Sequence, residues 1–309
     1  MIDIGTDPRH VALFASDMHL DEADAGCARR FLSALAAAAP AATHLFLLGD
    51  LFEAWIGDDI GDEGGHESRH ESGQAGGHAG GSLGANHDGD PTTSVAADFI
   101  ALLSELVRRG MHAFVMRGNR DFLLDVALPG QAAQTTFTQQ TGTQLLDDPA
   151  TIRLFGQRVV LAHGDALCTD DVAYQRARTV VRSAHWQEDF LSRPRNERQA
   201  IARSLRDASQ RVQAARLLTA TEPSDLADLT DVSENAVIAL LREHQADVLI
   251  HGHTHRPARH LHQIDERVCE RWVLPDWCPA RDGQAPRGGF LRVDRDGWKL
   301  EKSLTRPSG

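Results

Sequence analysis

Short apolar runs that end at polar residues recur along the chain. Such runs are typical of buried strands, and the Ala- and Leu-rich stretches between them have the composition of helices. The pattern predicts strands at 11–16, 44–48, 112–116, 158–162, 247–250, 271–274 and 289–293, and helices at 27–39, 95–109 and 233–244. Because strands alternate with helices, we expect a layered α/β fold.

One stretch breaks this alternation. Residues 61–90 contain ten Gly, four His and a single aliphatic residue larger than alanine, Leu83. So few apolar side chains bury too little surface to offset the entropy of ordering the backbone. We therefore expect residues 61–92 to form a disordered Gly/His-rich insertion, whose histidines could bind metal only weakly because flexible spacing fixes no geometry.

A second interruption, residues 171–231, is mostly helical in pattern and lies between two strand-like units, which predicts a helical cap inserted into one domain spanning 1–309. Its segment from Arg176 to Arg216 carries ten Arg and four acidic residues, a charge of +6 (10 − 4). The whole chain is −12 (32 basic minus 44 acidic residues). A charged run is commonly only a solvated helix face, but this opposite sign favours an anionic partner.

Length and composition exclude several classes of protein. A chain of 309 residues can build its own core without disulfides, and its four cysteines form no CxxC pair, which indicates a reducing compartment. The first residues lack the basic and apolar regions of a signal peptide, and no stretch approaches about 18 apolar residues. We expect a cytoplasmic protein that meets a membrane only at its surface.

Five of the predicted strands run directly into side chains that ligate metals or bind phosphate. These segments are Ser16-Asp17-Met18-His19, Gly49-Asp50, Gly118-Asn119-Arg120-Asp121, His163-Gly164-Asp165 and His251-Gly252-His253-Thr254-His255. Loops at the carboxyl ends of strands in α/β sheets converge on ligands. Carboxylate, imidazole and amide donors without thiolate favour Mn²⁺, Fe²⁺, Zn²⁺ or Mg²⁺. The donors are too many for one ion, and two ions suit in-line attack at phosphorus.

Together these segments resemble the calcineurin-like metallophosphoesterase family, whose motifs are DxH, GD, GNH(D/E), a later H and GHxH. Longer motifs are similar to those of its UDP-2,3-diacylglucosamine hydrolase branch: GDLFEAWIGDD (49–59), RGNRDFLL (117–124), AHGDALCTDDVAYQRAR (162–178), TDVSENAV (230–237), IHGHTHRPARH (250–260) and RWVLPDW (271–277). The similarity covers nearly the whole chain except 61–94 and part of 200–229. It implies a four-layer αββα sandwich with an inserted helical cap, the position that 171–231 occupies.

The resemblance also implies roles for individual residues. One Mn²⁺ would be held by Asp17, His19, Asp50 and His255, and a second by Asp50, Asn119, His163 and His253, with Asp50 bridging. His251 is outside the family's ligand set. The implied substrate contacts are Asn119, Arg120, Asp171, Tyr174, Ser209, Arg216 and His253. The lysines of the family's cap are absent here, and Arg206, Arg211 and Arg216 are the candidate replacements.

Arg120 departs from the wider family, in which a histidine commonly taken to protonate the leaving group stands at this position. Arginine cannot serve as that acid because its pKa exceeds about 12. The reaction should therefore have a leaving group that needs no proton, such as the sugar phosphate expelled from a pyrophosphate. Arg120 would instead pair with a phosphate oxygen. The alternative is a salt bridge from Arg120 to Asp121 or another carboxylate.

The resulting hypothesis is hydrolysis of UDP-2,3-diacylglucosamine to UMP and 2,3-diacylglucosamine 1-phosphate in lipid A biosynthesis, by a metal-activated hydroxide that attacks the α-phosphorus. The expected catalytic set is Asp17, His19, Asp50, Asn119, Arg120 and His163. The cap residues expected to line an acyl channel are Val180, Val181, Trp186, Phe190, Leu191, Ile201, Leu205, Val212, Leu217 and Leu218.

The expected partners are this lipid-linked nucleotide and the anionic inner leaflet of a membrane, with neither nucleic acid nor an obligate protein partner. Two alternatives stay open. One is another two-metal phosphodiesterase or nucleotide pyrophosphatase, which the metal motifs alone would equally fit. The other is a non-catalytic scaffold of the same fold, although such proteins usually lose ligands and this chain keeps the whole set.

Overall fold

A computed structural model of the chain describes residues 1–59, 92–130, 135–219, 231–278 and 286–302. Side chains are described within these ranges except at 92–94, 210, 212–219 and 302. The insertion expected at 61–92 lies outside the described residues as far as residue 91, and Thr92 is already the first residue of a helix.

The described strands and helices have the following bounds. The strands are β1 (Ile2–Ile4), β2 (Ala12–Ala15), β3 (His44–Leu48), β4 (His112–Met116), β5 (Gln144–Leu146), β6 (Ala150–Leu154), β7 (Gln157–Ala162), β8 (Val248–His251), β9 (Ala258–Ile264), β10 (Arg267–Val273), β11 (Gly289–Asp294) and β12 (Gly297–Lys302). The α-helices are α1 (Ala25–Ala38), α2 (Thr92–Arg108), α3 (Phe137–Thr141), α4 (Val172–Val181), α5 (Ala184–Leu191), α6 (Arg195–Thr219) and α7 (Glu234–Glu243).

The strands form two mixed sheets. The first sheet has the order β1-β6-β7-β8-β10-β9, and the second has the order β12-β11-β2-β3-β4-β5. In the second sheet β2, β3, β4 and β5 are mutually parallel, and in the first sheet β7, β8 and β10 are parallel. The carboxyl ends of β2, β3 and β4 therefore meet at one edge, and those of β7 and β8 meet at another.

Alternation along the second sheet's strands assigns its two faces. Phe14, Phe46 and Phe114 stack in a row across β2, β3 and β4, with ring centroids 4.7 and 4.8 Å apart, and face the first sheet. The intervening residues, such as Leu13 and Leu45, point the other way and pack against α1 and α2. Successive strand residues point to opposite faces, so fully apolar strands bury both faces of the sheet.

The first sheet is covered on its outer face in the same manner. Val160 and Leu249 pack against Val237 and Leu241 of α7. The layers therefore run helix, sheet, sheet, helix, which confirms the expected four-layer αββα sandwich.

Each strand and helix predicted from the apolar runs corresponds to an observed element. The prediction missed β1, β5, β6, β9, β12 and α3. Most of these strands are short or lie at or beside a sheet edge, and β9 (ARHLHQI) is only half buried. Their sequences consequently lack a continuous apolar run.

The segment expected to form the cap contains α4, α5 and α6 and no strand in its described part, 171–219 and 231. Phe190 and Leu191 of α5 are buried in the same apolar cluster as Trp55 and Ile56 of the core. Arg198 of α6, also buried, forms an ion pair with Asp59.

None of the described helices combines the length and hydrophobicity needed to cross a lipid bilayer.

Candidate metal centre

The five segments singled out in the sequence lie together where the two sheets meet. The loop after β2 runs beside the loop after β3, because Asp17 N donates to Gly49 O (3.1 Å) and His19 N donates to Asp50 O (3.0 Å). Across the sheets, the backbone N–H of His253 donates to Oδ2 of Asp17 at 2.9 Å. Loops distant in sequence thus converge on one place.

The backbone at this place is unusual. Asp17, His19, Asp50, His253 and His255 all have positive φ, between 47° and 66°. A left-handed conformation is uncommon outside glycine, and each such residue costs roughly 1–3 kcal/mol that the surrounding structure must offset. Strain of this kind concentrates at functional sites, and here it falls on five of the seven expected ligands.

Two glycines make room for the carboxylates. A Cβ atom on Gly118 would overlap Oδ1 and the backbone N of Asp50, and one on Gly252 would overlap Oδ2 of Asp17 and the Ser16 side chain. The absence of a side chain at both positions lets the backbone approach the ligand carboxylates closely.

Asp17, His19 and His255 form the first group of potential ligands. Nε2 of His255 lies 3.3 Å from Oδ1 of Asp17 and 3.3 Å from Nε2 of His19. Asp17 is fully buried, and its Oδ1 has no hydrogen-bond partner. A buried carboxylate oxygen without a partner is costly unless a cation satisfies it, so this group fits a divalent ion.

Asp50 reaches both sides of the site. Its Oδ1 lies 3.6 Å from Nε2 of His163, and its Oδ2 lies 3.9 Å from Nε2 of His19. Oδ1 of Asn119 lies 3.0 Å from the same nitrogen of His163, and the rings of His163 and His253 are 5.1 Å apart. Asp50 is therefore placed where a carboxylate could serve two ions.

Three of the histidines turn Nδ1 away from the cluster, toward an oxygen atom. Nδ1 of His163 lies 3.0 Å from Leu48 O, that of His19 lies 3.1 Å from Oε2 of Glu53, and that of His255 lies 3.6 Å from Oδ2 of Asp276. The His163 contact is a hydrogen bond of the kind that characteristically holds the second nitrogen of a metal-bound imidazole, whereas the contacts of His19 and His255 are approaches to a carboxylate without a hydrogen bond. The donor set, its burial and these orientations all fit divalent metal ions.

Buried carboxylates make this place strongly attractive to positive charge. Burial lowers the pKa of His19, but the neighbouring carboxylates of Glu53, Asp50 and Asp17 outweigh it and raise the pKa to about 9. The pKa of His163 is raised to about 9 in the same way, mainly by Asp50 and Asp17. Burial and nearby His163 instead lower the pKa of His253 to about 4.

The salt bridge considered between Arg120 and Asp121 is not formed. Asp121 is fully buried and accepts the backbone N–H groups of Gly118 and Leu51, both at 2.6 Å. The other form of that alternative, a salt bridge to another carboxylate, is present: Nη1 of Arg120 lies 3.9 Å from Oε1 of Glu53. Asp121 thus shapes the loop, while Arg120 projects into an adjoining cavity.

That cavity, of about 200 Å³, lies between the cap and the core. Its polar side includes Asn119, Arg120, Tyr174 and Ser209. Its apolar side includes Phe122, Val181, Trp186, Phe190 and Leu205, four of which belong to the expected acyl channel. Of the other expected channel residues, Leu191 is buried and Val180 is 56% exposed. The side chains of Val212, Leu217 and Leu218 lie outside the described residues. The side chain of Arg216, an expected substrate contact, also lies outside them.

Tyr174 and Asp171 have local partners. Asp171 caps α4, its side chain accepting the backbone N–H of Tyr174 at 3.0 Å. The Tyr174 hydroxyl donates to Oδ2 of Asp165 at 2.8 Å, and Nε of Arg178 donates to the same oxygen at 2.7 Å.

His251, which is outside the expected ligand set, is buried with its Nδ1 against Gly252 O.

Two residues of the site were missed in the sequence, Glu53 and Asp276. Both lie within quoted motifs, GDLFEAWIGDD and RWVLPDW, and Asp276 follows β10 closely, as the ligands follow their strands. The signal available was their presence in these motifs.

Known proteins resemble this chain over most of its length. The family model for calcineurin-like phosphoesterases matches residues 11–257, and the chain belongs to that family. Proteins named UDP-2,3-diacylglucosamine hydrolase from Chromobacterium violaceum and Stenotrophomonas maltophilia are each 38% identical to it, over 92% and 94% of this chain and 95% and 97% of theirs. The protein of that name from Bordetella pertussis is 38% identical over 92% of this chain and 91% of its own.

Proposed function

We propose that the protein hydrolyses UDP-2,3-diacylglucosamine to UMP and 2,3-diacylglucosamine 1-phosphate. One observation carries the proposal: the cluster of metal ligands opens through Asn119 and Arg120 into a cavity whose far wall is apolar. A substrate that combines a pyrophosphate with acyl chains matches this arrangement, in which a polar metal centre adjoins an apolar wall. The names of the three relatives above agree with it.

The proposed ligands of one Mn²⁺ are Asp17, His19, Asp50 and His255, and those of the other are Asp50, Asn119, His163 and His253. The contacts of Asp50 with histidines of both sets support its role as the shared ligand. Two ions bound there would activate water for in-line attack on phosphorus. The protein's own contribution is to hold these side chains rigidly, with the His163 ring fixed by Leu48 O.

Arg120 stabilises the departing phosphate in this proposal. Its backbone N–H donates to Oδ1 of Asp50 at 2.8 Å, which ties the residue to the ligands, while its guanidinium faces the cavity. A guanidinium pairs well with two phosphate oxygens. Because attack at the α-phosphorus expels a sugar phosphate, no proton donor is needed, and Asp171, Tyr174, Ser209, Arg216 and His253 complete the proposed substrate contacts.

The acyl chains would lie along the cap side of the cavity. Trp186 stacks on Phe190 with ring centroids 4.8 Å apart and lies 5.8 Å from the ring of Phe122. Phe190 is buried, whereas Phe122 and Trp186 are partly exposed, and acyl chains covering these two rings would be bound by the hydrophobic effect. We expect Trp186→Ala to raise the KM for the diacylated substrate.

We also propose a cytoplasmic protein that docks peripherally on an anionic inner leaflet. The cap exposes Arg176, Arg203 and Arg211 together with Val172 and Val180. Each basic side chain near such a surface contributes about 1 kcal/mol. Sedimentation with phosphatidylglycerol vesicles that weakens with added salt is expected, and equal binding to neutral phosphatidylcholine vesicles would contradict it.

The test of the substrate compares UDP-2,3-diacylglucosamine with UDP-N-acetylglucosamine, which has the same pyrophosphate but no long acyl chains. Mn²⁺-dependent release of UMP from the diacylated compound alone is expected. Equal turnover of both would favour a general nucleotide pyrophosphatase. Turnover of neither, with a simple phosphodiester hydrolysed, would favour a different two-metal phosphodiesterase.

A further inference from the structure

Glu53 occupies a fixed place beside the metal ligands. It follows Phe52, which pairs with Leu20 in a parallel bridge. The backbone N–H of Glu53 donates to Leu20 O at 3.2 Å. The loop after β3 is thereby held against the loop that carries Asp17 and His19. The Glu53 side chain is partly buried, 23% exposed, so its ionic contacts are less screened than those of a surface pair.

One oxygen of Glu53 faces a ligand. Oε2 lies 3.1 Å from Nδ1 of His19, which leaves Nε2 of that ring directed at Asp17, Asp50 and His255. Nδ1 of His19 forms no hydrogen bond in this geometry, so the contact is an ionic approach, from which a carboxylate can orient a ligating imidazole.

The other oxygen faces the cap. Oε1 lies 3.8 Å from Nε of Arg206, on helix α6, and 3.9 Å from Nη1 of Arg120. Arg206 also approaches Asp21, with Nη1 and Oδ2 3.9 Å apart. A single carboxylate thus contacts a candidate metal ligand, a candidate phosphate contact and a helix of the cap.

We infer that Glu53 is a positioning residue that couples the metal centre to helix α6 of the cap. An ion bound to Nε2 of His19 would restrain the imidazole ring. The Nδ1–H of that ring would in turn restrain Oε2 of Glu53, so that Oε1 of Glu53 would stay directed at Arg206. Such coupling acts in both directions. The inference rests on the proposed metal centre but not on the identity of the substrate.

Asp276 provides the matched comparison. Its Oδ2 lies 3.6 Å from Nδ1 of His255, so it orients a ligand as Glu53 does. Its other contact is the guanidinium of Arg287, at 2.6 and 3.0 Å, outside the cap. Loss of Asp276 should weaken metal binding without separating the metal centre from α6.

The first measurement is Mn²⁺ affinity, from the electron paramagnetic resonance signal of free Mn²⁺. We expect Glu53→Ala and Asp276→Ala each to weaken binding by about 10- to 100-fold, the usual effect of losing a partner of a ligating histidine. Glu53→Gln keeps an acceptor oxygen for His19 and should lose less. Wild-type affinity in Glu53→Ala would overturn the positioning role.

The second measurement is amide hydrogen exchange across Arg195–Thr219, with and without saturating Mn²⁺. In the wild type and in Asp276→Asn, we expect Mn²⁺ to slow exchange around Arg206. In Glu53→Gln, which is isosteric and should fold, this response should disappear. It should also disappear in Arg206→Met. It should persist in Arg203→Met, a change on the exposed side of the same helix. An unchanged response in Glu53→Gln would overturn the coupling. Neither measurement uses the lipid substrate, so failure of the substrate assay would not affect this result.

Discussion

Oδ1 of Asp50 lies 3.6 Å from Nε2 of His163, and these two residues lie in loops that follow strands of different sheets. Asp50 follows β3 of the second sheet and His163 follows β7 of the first. The proposed metal centre is therefore also a cross-link between the two halves of the sandwich. Ligands that bind only the folded state stabilise it by mass action.

Mn²⁺ should consequently stabilise the protein against urea. At a free concentration 100 times its Kd, an ion raises the free energy of unfolding by about 2.7 kcal/mol per site. Because Asp50 is shared by both proposed ligand sets, Asp50→Ala should lose the stabilisation from both ions. Asp3→Ala, a change at an exposed residue, is the control. Full Mn²⁺-dependent stabilisation in Asp50→Ala would contradict the shared-ligand assignment.

The pair formed by Arg198 and Asp59 should anchor the cap to the core. The Arg198 side chain is 4% exposed, donates to Asp59 and also bonds the carbonyls of Ile56 and Arg193. Removing one partner of a buried pair typically costs about 3–5 kcal/mol, because the other charge is left without compensation. Arg198→Met should therefore lower the free energy of unfolding in urea by about that amount.

Arg193→Met is the matched control for this change. Arg193 pairs with Asp189 on the surface at 2.8 Å, and exposed pairs contribute only about 0–1 kcal/mol. Equal effects of the two substitutions would show that the Arg198 pair is not the anchor.

His44 should make stability depend on pH at mildly acidic values. Burial, together with the neighbouring rings of His112 and His10, lowers the pKa of His44 from 6.5 to about 4. The unfolded chain therefore binds more protons between pH 4 and pH 6.5, so stability present above pH 6.5 is lost as the pH falls through this window.

Urea unfolding of His44→Gln at several pH values checks this dependence. The loss of stability between pH 6.5 and pH 4 should be smaller than in the wild type. His185→Gln, at an exposed position of the cap, makes the same chemical change elsewhere. If the two variants have the same pH profile, His44 is not responsible.

The layered fold and the meeting of the ligand segments could be predicted because each depends on short apolar strands that end at polar residues. Phe14 and Phe46 lie in such runs, and Asp17 and Asp50 follow directly. Edge strands such as β9 and β12 could not be predicted in the same way, since one face of each is exposed and the apolar pattern is weak.

The partners of the charged side chains could not be predicted from the sequence either. The +6 charge of the cap segment suggested a surface for an anionic partner. Among the described residues, however, four of its ten arginines contact carboxylates outside the segment: Arg178 and Arg182 contact Asp165, Arg198 contacts Asp59, and Arg206 contacts Glu53. A fifth, Arg193, pairs with Asp189 within the segment. The contacts of Arg198 and Arg206 join segments far apart in the chain, and nothing in the local sequence specifies them.

In the proposed reaction, the protein cleaves UDP-2,3-diacylglucosamine by attack of water on the α-phosphorus. Hydrolysis in H₂¹⁸O with Mn²⁺, followed by mass spectrometry of both products, tests it most directly. We expect one ¹⁸O atom in UMP and none in 2,3-diacylglucosamine 1-phosphate. Label in the sugar phosphate instead, or failure of the wild-type protein to release UMP, would contradict it.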